Sequence, residues 1–293
     1  MVSTVLVTGA GGQLGRELLA CAPSNWQVVA LTRDQLDISD AAAVSHSVSS
    51  HAPELVINAA AYTAVDRAEE EPELALRINA DGPRYLAQSC REAGCRFIHI
   101  STDFVFDGSG HSPYTPDAPT APLGRYGASK LAGEQAVQAA LHDAVIVRTA
   151  WVYSRFGANF VKTMLRLMGE RDSLGVVNDQ IGSPTWAAGL ARALWQAAKP
   201  TTGAGIYHWS DEGRCSWFDF AVAIQEEGAV LGLVPGACVI QPLSTQEYPT
   251  PASRPAYSVL SSERSQRDWQ QPGAHWRSQL RAMLKDLKEN GDA

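Results

Sequence analysis

The sequence predicts an α/β fold: a parallel sheet covered by helices on both faces, followed by a smaller mixed α/β lobe. Two observations carry that expectation. Apolar, strand-like runs alternate with helical periodicity through the first half of the 293 residues, the pattern of repeated strand–helix units. The first strand also runs straight into a glycine-rich turn, VTGAGGQLG, from Val7 to Gly15. Composition agrees: hydrophobic residues make up 45% of the chain, ordinary for a protein with a buried core. The length suits one large domain or one large and one small.

Each element has its own signal. The first strand covers 3–8, most apolar at 5–8, and stops at Gly9. A helix over 14–22 starts inside the glycine turn. A second strand is expected at 28–31. A helix at 41–48 follows Ser39 and Asp40, residue types that cap helix amino ends. The third strand, 55–58, leads into NAAAYTAVD. One long helix is expected over 72–93, with Pro72 in its first turn, where a missing N–H is harmless. A strand at 97–101, a helix over 126–140 and a strand at 144–148 complete the alternation. The pattern is Rossmann-like and doubly wound, and such sheets bind ligands beyond the carboxyl ends of their strands.

After Tyr153 the pattern changes. Helical stretches near 160–169, 187–198 and 217–227 are separated by long segments bearing Pro and Gly. The expected division is a dinucleotide-binding domain at 1–153 and a mainly substrate-binding lobe at 154–293, with some of its segments returning to the first domain. An amphipathic helix over 276–288 ends in a polar tail.

Charge and cysteine usage exclude several classes. The net charge of −7 argues against a nucleic-acid partner, which would select a basic face. It leaves room for a nucleotide ligand, which needs only a local patch of donors. The five cysteines are odd in number and none lies in a Cys-x-x-Cys pair. Reduced thiols in a cytoplasmic protein, with no metal framework, are expected. No signal peptide is visible before the first strand, and no apolar run approaches the roughly 20 residues that span a bilayer.

The glycine turn has the form G-x-x-G-x-x-G through Gly9, Gly12 and Gly15. Gly9 permits the tight turn, Gly12 lets backbone approach a pyrophosphate, and Gly15 lets the helix pack against the sheet. Gly11, Gln13 and Leu14 complete the candidate cradle, and the helix amino end offers free N–H groups to phosphates. The second strand ends in Thr32 and Arg33. A carboxylate there would accept the ribose 2′-hydroxyl of NAD, whereas Arg33 suits a 2′-phosphate. NADPH is therefore favoured, with NADH left open and a solvated Arg33 as the plainer reading. Asp37 and Ile38 are placed beside the adenine. Ala59, Ala60, Ala61, Tyr62 and Thr63 are placed along the middle of the cofactor, with Ile100 also near it.

The chemistry points to Tyr126 and Lys130, in YGASK. Residues four apart share a helix face. A phenol has a pKa near 10, and a neighbouring ammonium would bring it down by favouring the phenolate. Lys130 would also hold the nicotinamide ribose. Ser101 and Thr102 end the fourth strand, where a hydroxyl would fix a carbonyl oxygen.

The combination of TGAGGQLG, NAAAYTAVD, STDFVFDG and YGASK resembles an extended short-chain dehydrogenase/reductase. Further blocks, RTAWVY at 148–153, NFVKTM at 159–164, NDQ at 178–180 with GSPT at 182–185, and TPASRP at 250–255, resemble the dTDP-4-dehydrorhamnose reductase family. The likeness runs nearly the whole length. It implies reduction of the C4 ketone of dTDP-4-dehydro-L-rhamnose to dTDP-L-rhamnose, a precursor of bacterial surface polysaccharide. By that resemblance Tyr126 is the proton donor, Lys130 its partner, and Thr102 the hydroxyl on the reacting oxygen. Asp103 lies next to the sugar, Trp151 contacts its ring, and Arg254 holds the diphosphate. Asn178 and Gln180 are substrate contacts in the same scheme, with a plain polar turn at NDQ as the alternative reading.

Two alternatives remain open. One is a non-catalytic, NADP-binding regulatory subunit of the same fold, such as eukaryotic methionine adenosyltransferase possesses. The other is a sugar-nucleotide epimerase. The intact Thr102, Tyr126 and Lys130 set favours chemistry over regulation. Related dehydratases carry Thr-Asp-Glu where this chain has Thr102-Asp103-Phe104, so elimination lacks its second acid. Some family members also dimerise through a magnesium ion held by carboxylates. Glu17 matches one such position, but Ala188 and Arg192 stand where the others would be. An arginine repels the cation, so a monomer without a metal is expected.

Overall fold

The computed structural model describes residues 3–234 and 238–291. In its first part, β1 (Ser3–Thr8), α1 (Gln13–Ala20), β2 (Trp26–Leu31), α2 (Ala41–His51) and β3 (Leu55–Asn58) alternate. Then come α3 (Pro72–Leu76), α4 (Gly82–Ala93), β4 (Arg96–Thr102), α5 (Arg125–Ala140) and β5 (Val145–Thr149). The second part holds β6 (Val152–Tyr153), α6 (Phe160–Glu170), β7 (Ser173–Val177), β8 (Ile181–Gly182), β9 (Thr185–Trp186), α7 (Ala187–Ala197) and β10 (Gly205–His208). It ends with β11 (Cys215–Ser216), α8 (Trp217–Val230), β12 (Val239–Leu243), α9 (Glu263–Trp269) and α10 (Trp276–Asn290).

The central sheet has six parallel strands in the order β10-β5-β4-β3-β1-β2. Alternate side chains of β1 divide the core between two faces, as the period of a strand requires. Val5 and Val7 pack with Leu14 and Leu18 of α1 and with Leu190 and Leu194 of α7. Leu6 packs the other way, with Val44 and Val48 of α2, Leu86 of α4 and Val137 of α5. Helices on both faces explain why the strands read as continuous apolar runs. The order reverses between β1 and β3, and the crevice at their carboxyl ends lies at that point.

Segments from both sides of Tyr153 build this layer. β10 extends the sheet beside β5, and α7 lies with α1. The rest of the second part forms its own core around Met164, Phe220, Ile224, Leu280 and Met283. Three two-stranded ribbons, β6 with β9, β7 with β12 and β8 with β11, organise it.

One expectation needs correction. The single helix over 72–93 is interrupted by a π-helical turn, Arg77–Asp81. Pro83 has no N–H to continue the hydrogen-bond ladder, so the helix must adjust in the turn before it. Asn79 sits fully buried in that turn. At Gly133 of α5 a Cβ would collide with the Asn79 carbonyl, so the catalytic helix crosses the π turn in direct contact.

α5 is anchored by a buried ion pair. Glu134 meets Arg148 of β5 at 2.6 Å, and both side chains are almost wholly buried. Ser101 of β4 donates to the same carboxylate at 2.5 Å. All five cysteines are free thiols. Among the described residues no helix is long and apolar enough to cross a membrane.

Candidate active site

The glycine turn is shaped by close approach. Gly9 has φ of +68°, and a Cβ there would lie 2.5 Å from the backbone nitrogen of Ala60. At Gly15 a Cβ would strike the Gly9 carbonyl, which fixes α1 against the strand. Gly12 starts α1 and supplies no side-chain cap. The first N–H groups of that helix therefore remain available to an anion. The turn opens on a cavity of about 380 Å³ lined by Gly9, Gly11, Gly12, Arg33, Asp37, Ile38 and residues 59–63.

These residues fit a dinucleotide: the glycine turn brings main-chain donors and an exposed arginine borders the same cavity. Asp37 is turned toward Ser39, whose N–H and hydroxyl donate to it and hold its carboxyl below the usual range. Two expected contacts lie elsewhere. Thr32 donates through both its N–H and its hydroxyl to Gln35 Oε1, at 2.9 and 3.0 Å, and does not line the cavity. Gly15 is committed to helix packing.

A second cavity, about 560 Å³, continues from the first past Gly12, Ala59, Ala61 and Thr63. Gln13, Leu14, Ile100, Thr102, Asp103, Tyr126 and Lys130 line it, as do Trp151 and Arg254. Thr102 ends β4, while Tyr126 and Lys130 project from the first turns of α5. Lys130 Nζ donates to the Ile100 carbonyl at 2.6 Å. Burial pushes its ammonium down to about 8.

Burial also pushes the Tyr126 phenol up to about 12, outweighing a hydrogen bond with Thr102 that lowers it. The expected lowering of Tyr126 by Lys130 is therefore not found. Desolvation disfavours the phenolate, and Lys130 is committed to a backbone carbonyl. Ser101 and Thr102 at the end of β4 both border the cavity; the Thr102 hydroxyl donates to Asp103 at 3.0 Å, while that of Ser101 is spent on Glu134. Burial raises the Asp103 carboxyl to about 6, against the Ser258 and Thr102 hydroxyls that hold it down. Phe104 stands edge-on to the Tyr126 ring at 5.6 Å.

Asn79 links the two cavities and was not singled out from sequence. Its carboxamide exchanges hydrogen bonds with the Tyr62 backbone at 2.8 and 2.9 Å. It also donates to Ser129, whose hydroxyl bonds the Tyr126 carbonyl. The loop after β3 and the start of α5 are thereby held together.

The far end is built from distant parts of the chain. Arg254 forms a two-pronged pair with Asp66, at 3.1 and 2.9 Å, which keeps the Asp66 carboxyl low. It also borders a third, more apolar chamber of about 360 Å³ lined by Phe160, Met164, Val176, Gln180 and Tyr248. Gln180 donates to Thr245 there. Asn178 lines neither chamber, because its carboxamide oxygen accepts from Ser216 at 2.8 Å. Trp151 has φ of +47° and stacks on Trp217 with ring centroids 3.5 Å apart. Trp217 and Asp66 were missed from sequence, since no short-range pattern places either beside its partner.

Glu17 is buried and accepts from Ser154 at 2.6 Å. Desolvation raises its carboxyl. Arg192 lies over the Trp186 ring.

A family model described as RmlD substrate binding domain matches residues 3–289. A dTDP-4-dehydrorhamnose reductase of Streptomyces griseus is 47% identical over 94% of this chain and 91% of that protein. The spore coat polysaccharide biosynthesis protein SpsK of Bacillus subtilis is 42% identical over 97% of this chain and 98% of its own. Among solved structures, the dTDP-4-dehydrorhamnose reductase of Bacillus anthracis in complex with NADP superposes with a TM-score of 0.91. It is 38% identical, and the match covers 98% of this chain and all of that one. This chain belongs to the dTDP-4-dehydrorhamnose reductase family of NAD(P)H-dependent oxidoreductases.

Proposed function

We propose that the chain reduces the C4 ketone of dTDP-4-dehydro-L-rhamnose to dTDP-L-rhamnose with NADPH, supplying rhamnose for surface polysaccharide. One observation carries the reading. A single cavity is lined by Thr102, Tyr126 and Lys130 and also by Trp151 and Arg254. A polar donor set for a carbonyl and a cation suited to a diphosphate thus lie in one chamber that opens from the dinucleotide cleft.

NADPH, when bound, supplies the hydride. Gly12, Gln13 and Leu14 at the start of α1 would hold its phosphates, and Arg33 its 2′-phosphate. The Thr102 hydroxyl hydrogen-bonds the reacting ketone oxygen and orients it. Tyr126 donates its phenolic proton to that oxygen as negative charge develops there. The Tyr126 phenol is protonated at neutral pH and so holds the proton that it donates. Lys130 then stabilises the phenolate left behind. Arg254, planar and permanently charged, suits two-pronged contact with phosphate oxygens, so the diphosphate takes over its bonds from Asp66. Trp151 offers an apolar face to the sugar ring.

The same reading places the protein in the cytoplasm as a monomer that needs no magnesium. Sedimentation and activity unchanged by EDTA would support that part, and a dimer lost on chelation would refute it. The main test follows NADPH absorbance on addition of dTDP-4-dehydro-L-rhamnose, with the product identified by chromatography. Stoichiometric oxidation to dTDP-L-rhamnose is the expected result. Cofactor binding without turnover would favour a regulatory subunit, and interconversion of sugars without net oxidation an epimerase.

A further inference from the structure

We infer that Trp217 is a positioning residue that holds the Trp151 ring in place for the sugar, and that Asn178 acts through it. This rests on the sugar-binding role proposed above for Trp151. Trp151 adopts a left-handed backbone conformation, φ +47°, which a bulky side chain takes only when its surroundings impose it. Two contacts impose it here. One face of its indole lies on Trp217, 3.5 Å between centroids and 7° from parallel. The indole also packs on Gly182, where a Cβ would come within 2.5 Å of it. The short β8–β11 ribbon aligns these supports, because Cys215 pairs with Gly182 and Ser216 with Ile181. Trp217 follows directly as the first residue of α8.

The start of α8 is itself fixed. Ser216 and Asp219 form a reciprocal capping box, and the Ser216 hydroxyl also bonds Asn178 at 2.8 Å. Asn178 thus bears on the substrate site through the cap, the helix start and the indole. Trp217 and Arg254 are also the two residues that border both the sugar-sized cavity and the apolar chamber beyond it. Trp217 therefore forms part of the wall between the two, with Trp151 stacked on it from the side of the first cavity.

A double-mutant cycle tests this. Trp217→Ala should weaken dTDP-L-rhamnose binding and raise KM by roughly two- to tenfold, the scale of one aromatic pair. Affinity for dTDP alone should fall less, and NADPH affinity should not change. Adding Trp217→Ala to Trp151→Ala should bring little further loss, because the effect passes through the same ring. Trp217→Phe should recover most of the affinity. Asn178→Ala should show a smaller loss with the same pattern. Independent additive losses, or equal weakening of dTDP and dTDP-L-rhamnose, would overturn the inference.

A second readout needs no substrate. Stacked indoles couple in circular dichroism, so Trp151→Phe and Trp217→Phe should remove one and the same band from the wild-type spectrum, leaving the contributions of the Trp209–Trp269 and Trp26–Trp195 pairs in place. Its persistence in either variant would disprove the stack. If the wild type bound dTDP-L-rhamnose but did not turn over the ketone, the functional proposal would fail while the binding cycle still decided the role of Trp217.

Discussion

The cofactor cleft is assembled from main chain, and the substrate chamber from side chains far apart in sequence. In the cleft, Gly9, Gly12 and Gly15 act by having no Cβ, and the ligand-facing donors are N–H groups of one turn. In the chamber, Asp66 grips Arg254 and Trp151 leans on Trp217. The contrast teaches where each half is vulnerable. Backbone donors survive most side-chain changes, whereas the chamber can lose a function with one residue. Thr102, Tyr126 and Lys130 stand at the junction, so changes there should hurt most; those at Thr102 and Tyr126 should leave binding at both ends intact, while Lys130 also serves the cofactor.

The largest effect is expected at that junction. Tyr126→Phe should cut turnover by about 100- to 10,000-fold, the usual contribution of a positioned acid. NADPH and dTDP-L-rhamnose affinities, measured by calorimetry, should stay close to wild type. Turnover near the wild-type rate would remove Tyr126 from the chemistry.

Next comes the chamber. Arg254→Ala should raise KM for the sugar nucleotide by roughly 10- to 100-fold, the loss of charge-assisted hydrogen bonds. Turnover should change much less, because an anchor remote from the carbonyl binds ground and transition states alike. Steady-state kinetics separate the two, and collapsed turnover at unchanged KM would place Arg254 in the chemistry.

Much of this contrast was legible in the sequence. Alternating strand and helix signals located the sheet's first five strands along the chain, and the glycine turn and YGASK are local motifs that carry their own geometry. Thr32 was less legible, because its hydrogen bonds to Gln35 follow from a tight turn rather than from strand position. Asn79 was hidden because Pro83 makes a π turn inside a pattern that reads as one helix. Trp217 and Asp66 matter through partners 66 and 188 residues away, a relation that no local periodicity encodes. Asn178 was recognised in a block but sits behind the chamber wall, since the motif records its presence and not its direction. The Tyr126 pKa went the other way because burial is a property of the folded chain.

A third prediction joins the halves through pH. Lys130 in the free protein titrates near 8. Binding an anionic cofactor favours the charged lysine and raises that value in the complex. NADPH affinity is then full below about 8 and is lost as pH rises through it, by linkage. Fluorescence titrations from pH 6.5 to 9.5 should show this fall, and Lys130→Met should show weak binding with a flatter profile. A flat wild-type profile would contradict the role of Lys130 on the cofactor.

The smallest effect is expected where the cleft does use a side chain. Arg33→Ala should lower the preference for NADPH over NADH by roughly three- to tenfold, since an exposed charge contributes about 1 kcal/mol. Equal use of both cofactors by the wild type, untouched by the change, would make Arg33 a surface residue.

The most direct measurement of the central claim is the fate of the cofactor's label. Wild-type protein, dTDP-4-dehydro-L-rhamnose and NADPH deuterated at the transferring C4 position should give dTDP-L-rhamnose with deuterium at sugar C4, seen by NMR, one equivalent per NADPH consumed. Product without deuterium at C4, or a sugar altered at another carbon with NADPH left intact, would contradict it.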